Sequence, residues 1–232
     1  MTSISVGAAK SINVPNSCVV QTPLPLAHAM INALGNSKTD KWLEPCVGNG
    51  ALLSALSDFG VRKNCITGLD VDAHSRPNDR FGNISRGTEF LRWSHTTKLR
   101  FDKIVANPPY VALERLDAAI RQAAIEASLS QTIKVTPNGN AWYAFLCASI
   151  RLLKTDGSLC FLLPAAWDYA NYASPLRNAI SRYFSSVQVF RTTTPIFRAE
   201  CVQEGAIVLL AKGRRDVSNA NVDVENRRAF CW

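Results

Sequence analysis

The tetrapeptide Asn107-Pro108-Pro109-Tyr110 directly follows a short apolar run and has the composition of a binding clamp. Proline cannot continue a strand interior because it lacks the backbone N–H, so two consecutive prolines fix a rigid, extended exit. The Asn107 side chain and the Pro108 carbonyl offer hydrogen-bond acceptors, and Tyr110 adds an aromatic face. This pattern predicts a clamp for a planar group that bears an exocyclic amine. The alternative is a β-turn followed by a core tyrosine.

A second candidate site is the glycine turn in EPCVGNG, residues 44–50. Gly48 and Gly50 allow a tight turn and a close approach to a ligand, and the helix predicted after them offers unpaired N–H groups. The turn lacks the third glycine of the dinucleotide fingerprint, since Leu53 stands there, which disfavours an NAD-type dehydrogenase. Glu44 would repel a phosphate and favours a cationic or amine-bearing ligand.

Three acids lie at the ends of consecutive predicted strands: Glu44, Asp70 and Glu89. Asp70 stands about twenty residues beyond the glycine turn, where a carboxylate can accept hydrogen bonds from ribose hydroxyls. Together the acids predict a crevice for an adenosine-type ligand with a positively charged part. The alternative is that each acid caps the helix that follows it.

These residues require a sheet that brings strand ends together. Apolar runs bounded by turn residues alternate with stretches of helical period, which predicts an α/β fold with a mostly parallel sheet between helices. The predicted strands are 42–45, 65–70, 83–87, 102–107, 157–164, 187–191 and 205–212. The predicted helices are 23–35, 50–59, 114–130, 141–153 and 174–183. No helical pattern separates the last two strands, so we expect them to pair as an antiparallel edge hairpin.

Composition limits the class of protein. The 232 residues are 47% hydrophobic and contain no apolar run long enough to span a membrane. The N-terminus lacks the apolar region of a signal peptide, so we expect a cytoplasmic protein. The seven cysteines are odd in number and never in C-x-x-C spacing, which argues against disulfides and a zinc site, and we predict no metal.

The formal net charge of +8 favours a polyanionic partner, because phosphate neutralisation releases counterions. The alternative is a basic surface with no such partner.

Several of these stretches together resemble one family. WLEPCVGNG, GLDVD, GTEFL, FDKIVANPPY and NAWYAFLCASIRLLKTDGSLCFLLPAAW occur in the order of the S-adenosylmethionine-dependent adenine-N6 DNA methyltransferases whose cofactor motif comes first. Upstream, residues 20–23 resemble the extra N-terminal motif of that group. Downstream, residues 195–197 and the strand at 205–212 resemble its edge motif. The resemblance covers about residues 18 to 212.

The resemblance implies a Rossmann-like class I methyltransferase fold of seven strands, with S-adenosyl-L-methionine as cofactor. The implied cofactor-binding residues are Thr22, Glu44, Pro45, Cys46, Gly48, Gly50, Asp70, Val71, Glu89, Phe90, Asn107 and Phe145. Thr22 would bind the methionine carboxylate, Asp70 the ribose, and Glu89 the exocyclic amine of the cofactor. Val71, Phe90 and Phe145 would pack on its adenine. The family often has Glu at position 70 and Asp at 89, so the two acids here differ in reach.

The resemblance also implies a target adenine rotated out of DNA. Asn107 and Pro108 would accept its amine hydrogens, with Pro109 and Tyr110 completing the catalytic tetrapeptide. Val20, Tyr110 and Phe197 would contact the base.

We expect a catalytic domain over residues 1–212 and a basic tail over 213–232, with no separate target-recognition domain in this chain. Recognition could come from another subunit or domain. Residues 113–142 are the best candidate insertion, and a lid over the site is the alternative.

Two other functions share these features. The tetrapeptide alone also occurs in RNA-adenine and protein-glutamine methyltransferases, whereas the N-terminal and edge motifs favour DNA. A non-catalytic nucleic-acid-binding subunit is the other alternative, and the intact clamp argues against it.

Overall fold

The computed structural model describes residues 21–35, 37–75, 79–191 and 205–216. Its helices are α1 (Leu24–Leu34), α2 (Ala51–Asp58), α3 (Phe90–Thr96), α4 (Ala118–Glu126), α5 (Ala141–Leu152), α6 (Ala166–Tyr169) and α7 (Ser174–Tyr183). Its strands are β1 (Trp42–Glu44), β2 (Ile66–Asp70), β3 (Asn83–Arg86), β4 (Phe101–Ala106), β5 (Leu153–Pro164), β6 (Phe184–Arg191) and β7 (Ala206–Arg214). None of the helices in these ranges has the length and apolar character to cross a membrane.

The seven strands form one sheet in the order β3-β2-β1-β4-β5-β7-β6. Strands β1 to β5 pair in parallel, and β7 pairs antiparallel with both β5 and β6. The predicted mostly parallel sheet and its antiparallel edge hairpin are therefore confirmed. The order reverses between β1 and β4, so the carboxyl ends of these two strands flank the point where α/β sheets bind ligands.

Helices cover both faces of the sheet, as predicted. On one face α1 and α2 pack around Trp42 and Val105, and on the other α3, α4, α5 and α7 pack around Leu43 and Ile104. The alternation along β1 and β4 sends neighbouring side chains to opposite faces. Every residue of α5 except Arg151 is buried, because this helix lies between the sheet and α3 and α4.

Some predicted boundaries were wrong. Helix α3 was not predicted, because its seven residues FLRWSHT include two aromatic residues, a histidine and two hydroxyl residues, which favour a helix only weakly. The helix predicted over 114–130 is α4, which begins after Asp117, where the carboxylate accepts a hydrogen bond from Ile120 N at 2.9 Å. Strand β7 runs to Arg214, so the first two residues of the predicted tail belong to the sheet.

The predicted insertion after the clamp packs into the domain. Ile120 and Ala124 of α4, and Ile133 and Val135 of the following loop, are all buried in the core that contains α5. The Ser128 hydroxyl accepts a hydrogen bond from Val135 N at 2.9 Å and so ties the loop to the end of α4. This part of the segment is a layer of the core.

Gly68 offers a test of the packing beneath the glycine turn. A Cβ atom on Gly68 would lie 2.8 Å from Val47 Cγ2 and 3.5 Å from Ile84 Cγ1. We expect Gly68→Ala to lower the free energy of unfolding by about 1–3 kcal/mol, as overpacking does, measured by urea unfolding. Ser85→Ala, at an exposed position of the neighbouring strand, is the control and should change it by less than about 0.5 kcal/mol. Equal stability of both variants would contradict the tight packing.

Candidate active site

The glycine turn has the left-handed geometry that requires glycine. Gly48 has φ 54° and Gly50 has φ 82°, both in the region that side chains disfavour. Gly50 N donates to Val47 O at 2.9 Å, which closes the turn, and Val47 N donates to Leu69 O at 2.9 Å. Gly50 immediately precedes α2, so the turn places the first N–H groups of that helix at the carboxyl edge of the sheet.

Asp70 holds the glycine turn against the end of β2. Its Oδ2 accepts a hydrogen bond from Gly48 N at 3.0 Å, and its Oδ1 accepts one from Asp72 N at 2.8 Å. The residue is buried, and burial raises the pKa of its carboxyl although these two bonds oppose the rise. Each carboxylate oxygen can accept more than one hydrogen bond, so Asp70 keeps capacity for a hydroxyl of a ligand.

Glu44 is a buried acid at the end of β1, the strand next to β2. The residue is 1% exposed, and its Oε2 has no hydrogen-bond partner within the part of the chain that the structure describes. Burial, and then the nearby charge of Asp70, raise the pKa of Glu44 well above its ordinary value. A buried carboxylate with an unpaired oxygen is unfavourable by itself, and a cationic ligand would relieve that cost.

Cys46 connects the ends of β1 and β4. Its Sγ donates a hydrogen bond to Asn107 O at 3.2 Å. Burial raises the pKa of the thiol, and the charges of Glu44 and Asp70 raise it further, so Cys46 stays protonated and remains a donor. The bond fixes the backbone of Asn107 where it leaves β4.

The Asn107 side chain contacts a residue far away in the sequence. Its Nδ2 donates to Thr22 Oγ1 at 3.1 Å, and Thr22, just before α1, is 7% exposed. Pro108 is buried. The predicted Thr22 and Asn107 are thus brought together at the end of β4.

The sequence suggested two interpretations of Tyr110: an aromatic face of the clamp, or a tyrosine of the core. Its position fits both. The residue is half-buried against the core, and its hydroxyl is buried and meets no partner among residues 21–35, 37–75, 79–191 and 205–216. Burial, and then the neighbouring Cys46, raise its pKa, so the phenol stays neutral. The ring is therefore held by the core while part of it remains accessible.

Glu89 caps helix α3, and Phe90 packs in the core. Both oxygens of Glu89 cap α3, accepting hydrogen bonds from Leu91 N at 2.9 Å and Arg92 N at 2.8 Å, which is the capping role considered as the alternative. Burial raises the pKa of Glu89. Phe90 is buried and lies 4.8 Å from Phe145, centroid to centroid. The two rings predicted to pack on the cofactor adenine thus pack on each other here.

An open cavity of about 590 Å³ lies beside the glycine turn. Thr22 and Gly50 are the predicted site residues that line it, together with Gln21, Pro23, Leu24, Asn49, Ala51, Ser54 and Phe81. Sequence reasoning assigned no site role to these seven, although Gln21 and Pro23 belong to the N-terminal motif at residues 20–23. Ala51 and Ser54 are three apart on α2 and share one face, a spacing that could have indicated them once the turn was identified. No sequence signal indicated Phe81.

Two predicted base contacts, Val20 and Phe197, lie outside the described residues. Their roles remain predictions. Val71 is half-buried next to Asp70, and Pro45 is buried between Glu44 and Cys46.

Known proteins similar to this chain are restriction-modification methyltransferases. It is 29% identical over 168 residues to the Type II methyltransferase M.TthHB8I of Thermus thermophilus, covering 70% of this chain and 38% of that protein. It is 28% identical over 158 residues to M.HincII of Haemophilus influenzae, covering 67% of this chain and 29% of that protein. The chain thus spans well under two thirds of the length of these relatives.

Solved structures with the same fold include two methyltransferases. One, from Listeria monocytogenes, is described as a class I S-adenosylmethionine-dependent methyltransferase; it has a TM-score of 0.64 and 16% identity, covering 90% of this chain and 66% of its own. The other is a type I restriction-modification system methyltransferase subunit from Streptococcus thermophilus, with a TM-score of 0.66 and 20% identity, covering 84% of this chain and 45% of its own. These similarities show the class I methyltransferase fold.

The model of one protein family matches residues 53–197, which include most of helix α2, Asp70, Glu89 and the whole clamp. That match covers more than half of the chain. The chain therefore belongs to the Eco57I restriction-modification methylase family.

Proposed function

We propose that this chain is the catalytic part of a DNA methyltransferase that transfers a methyl group from S-adenosyl-L-methionine to the N6 amine of an adenine. Family membership and fold imply this cofactor. The observation that carries the adenine assignment is the clamp: Asn107 is fixed at the end of β4 by Cys46 and Thr22, beside the buried acids Glu44 and Asp70.

The residues at this edge fit the cofactor. Glu44 has a buried oxygen without a partner in the described chain, which suits an ammonium group. Asp70 can accept hydrogen bonds from ribose hydroxyls while it holds Gly48. When bound, S-adenosyl-L-methionine supplies a methyl group that is activated by the positive charge on its sulfur.

The clamp would act on the target amine. The lone pair of an adenine N6 amine is delocalised into the ring, so the amine is a weak nucleophile. Asn107 Oδ1 and Pro108 O would each accept one N6 hydrogen, which favours the pyramidal, electron-rich nitrogen that develops in the transition state. Because the methyl group is already activated, we expect alignment to contribute more than a general base.

A base in this clamp must leave the duplex. Tyr110 would stack on one face of a flipped adenine, and Val20 and Phe197 would contact it from other sides, which repays part of the unstacking. The similar proteins are longer than this chain, so we propose that a further subunit or domain contributes to sequence recognition.

Asn107→Ala tests the clamp. We expect methyl transfer to fall at least about 100-fold, as when a transition-state donor or acceptor is removed, while cofactor binding survives. Transfer is measured with tritiated cofactor on duplex DNA, structured RNA and a protein substrate, and binding by calorimetry. The control is Asn83→Ala, at an exposed position at the start of β3. Full activity of Asn107→Ala would refute the clamp, and transfer to RNA or protein alone would refute the DNA assignment.

Glu44→Gln tests the buried acid. The pKa of Glu44 is raised in the folded state, so the unfolded chain ionises first and the fold loses stability as pH rises above about 4.3, the ordinary value for Glu. The neutral variant should therefore have a higher Tm without cofactor at pH 8, by about 2–4 °C per kcal/mol recovered, and the difference should vanish near pH 4.

The same variant should bind the cofactor at least about tenfold more weakly, because the ammonium group loses its counter-charge. Thermal unfolding and calorimetry check the two effects. Glu114→Gln, at an exposed position, is the control and should change neither quantity. A lower Tm together with unchanged affinity would show that Glu44 is structural.

A further inference from the structure

We propose that Tyr169 is a second aromatic contact to DNA, which stacks on the base that loses its partner when the target adenine leaves the duplex. The inference rests on the proposed function, because it needs a flipped adenine in the clamp. It gives a role to an exposed ring outside the tetrapeptide, in a segment for which the sequence indicated no chemistry.

The strand order divides the carboxyl edge of the sheet into two halves. On one side of β4, the buried acids Glu44 and Asp70 end β1 and β2, and this half suits the cofactor. On the other side of β4 lie β5, β7 and β6. Because the cofactor would occupy the first half, a base that enters the clamp at the end of β4 must approach from the second half.

Tyr169 lies on this second half, just beyond the end of β5. Strand β5 pairs in parallel with β4, with Phe161 beside Ala106, so Pro164 falls level with Pro109 of the clamp. From Pro164 the chain makes two steps to the start of α6 and then one short helical segment to Tyr169, a path of roughly 12 Å. That distance is comparable with the width of the major groove, about 12 Å.

The Tyr169 ring is accessible at this position. The residue is 62% exposed, more than Leu24, Leu99 and Phe190, the other exposed large hydrophobic residues of the described ranges. A tyrosine ring offers a large contact area with few rotatable bonds, so its burial against a partner costs little conformational entropy. An exposed ring beside the clamp is therefore suited to stacking on a base.

The segment that carries Tyr169 is held from two sides. Arg177 Nη1 donates a hydrogen bond to the main-chain carbonyl of Trp167, which is buried. Arg191 of β6 donates two hydrogen bonds to the carboxylate of Asp168, from Nη2 to Oδ1 at 2.6 Å and from Nε to Oδ2 at 2.8 Å. Both contacts lie directly before Tyr169 in sequence. The main chain beneath the ring is thus fixed before a ligand binds, which lowers the cost of ordering it on binding.

A flipped adenine leaves a base that such a ring can stabilise. When the adenine rotates out, its thymine partner loses both its pair and a stacking neighbour, and the enzyme bears that cost. Tyr110 is committed to the flipped adenine in the clamp, so a second ring is needed for the base that stays behind. Stacking on an aromatic ring tolerates any base, so Tyr169 would promote flipping without reading sequence.

The test compares Tyr169→Ala with Tyr169→Phe. The probe is a duplex that carries a site found by sequencing plasmid DNA methylated by the wild type, bound in the presence of S-adenosyl-L-homocysteine. Tyr169→Ala should raise the Kd for this duplex about 5- to 150-fold, which corresponds to the strength of base–aromatic stacking. Tyr169→Phe should bind like the wild type, because the ring remains. An equal loss in both variants would assign the effect to the hydroxyl and overturn the stacking.

A second duplex identifies the base that is contacted. In it, the thymine opposite the target adenine is replaced by an abasic spacer, so Tyr169 has nothing to stack on at that position. The Kd values of Tyr169→Ala and the wild type for this duplex should then agree within about twofold, as the double-mutant cycle requires. The same loss on both duplexes would overturn the contact with the unpaired base.

Leu99→Ala is the matched control. Leu99 is 53% exposed and precedes β4 at the opposite edge of the sheet, so this variant should bind both duplexes like the wild type. The Tm of each variant checks that it is folded. If the wild type methylates no DNA, the proposed function fails and this inference fails with it. If the wild type methylates DNA and Tyr169→Ala binds normally, only this inference is overturned.

Discussion

The pairing of β1 with β4 is the constraint on which the site depends. These strands are about sixty residues apart in sequence, yet Trp42 pairs with Lys103 and Leu43 with Ile104. Their parallel alignment brings Glu44, which ends β1, and Cys46, which follows it, beside Asn107, which follows β4. The Cys46 thiol then hydrogen-bonds the Asn107 carbonyl. A shift of one residue in this register would turn Glu44 to the other face and separate the clamp from the acids.

The acids at this edge lower the stability of the fold. Glu44 and Asp70 end neighbouring strands, both are buried, and each has its pKa raised mainly by that burial. The cost of burying the Asp70 carboxylate is partly compensated by hydrogen bonds from two backbone N–H groups. Glu44 keeps an oxygen without a partner in the described chain. Sites made for a ligand commonly show such a trade between stability and function.

The sequence predicted the sheet and the hairpin because these follow from local patterns: apolar runs and turn residues. The tetrapeptide follows β4 as predicted, and its role as a clamp remains a prediction. It did not separate the roles of the acids. Glu44, Asp70 and Glu89 look alike as acids at strand ends, yet Glu89 caps α3 while Glu44 has a buried oxygen without a partner among the described residues. The contact of Thr22 with Asn107 was also beyond reach, since it joins residues 85 positions apart through the packing of α1 on the sheet.

The net charge of +8 is a property of the whole composition and does not say where on the protein the charges lie. The acids Glu44 and Asp70 lie at the carboxyl edge of the sheet, where Arg115 and Arg191 are also exposed, and further exposed cations lie at the opposite edge. Lys41, Arg62 and Arg100 precede the starts of β1, β2 and β4, Lys154 lies near the start of β5, and Arg215 follows the end of the antiparallel β7. Strand β4 alone separates the two edges by about 20 Å, beyond the range of about 8–10 Å over which exposed charges act in physiological salt. Because exposed cations lie at both edges, the net charge by itself does not identify the edge at which a polyanion would bind. Close to the clamp, the buried acids Glu44 and Asp70 favour a cationic ligand, and the contacts proposed for Asn107, Pro108 and Tyr110 would use neutral groups.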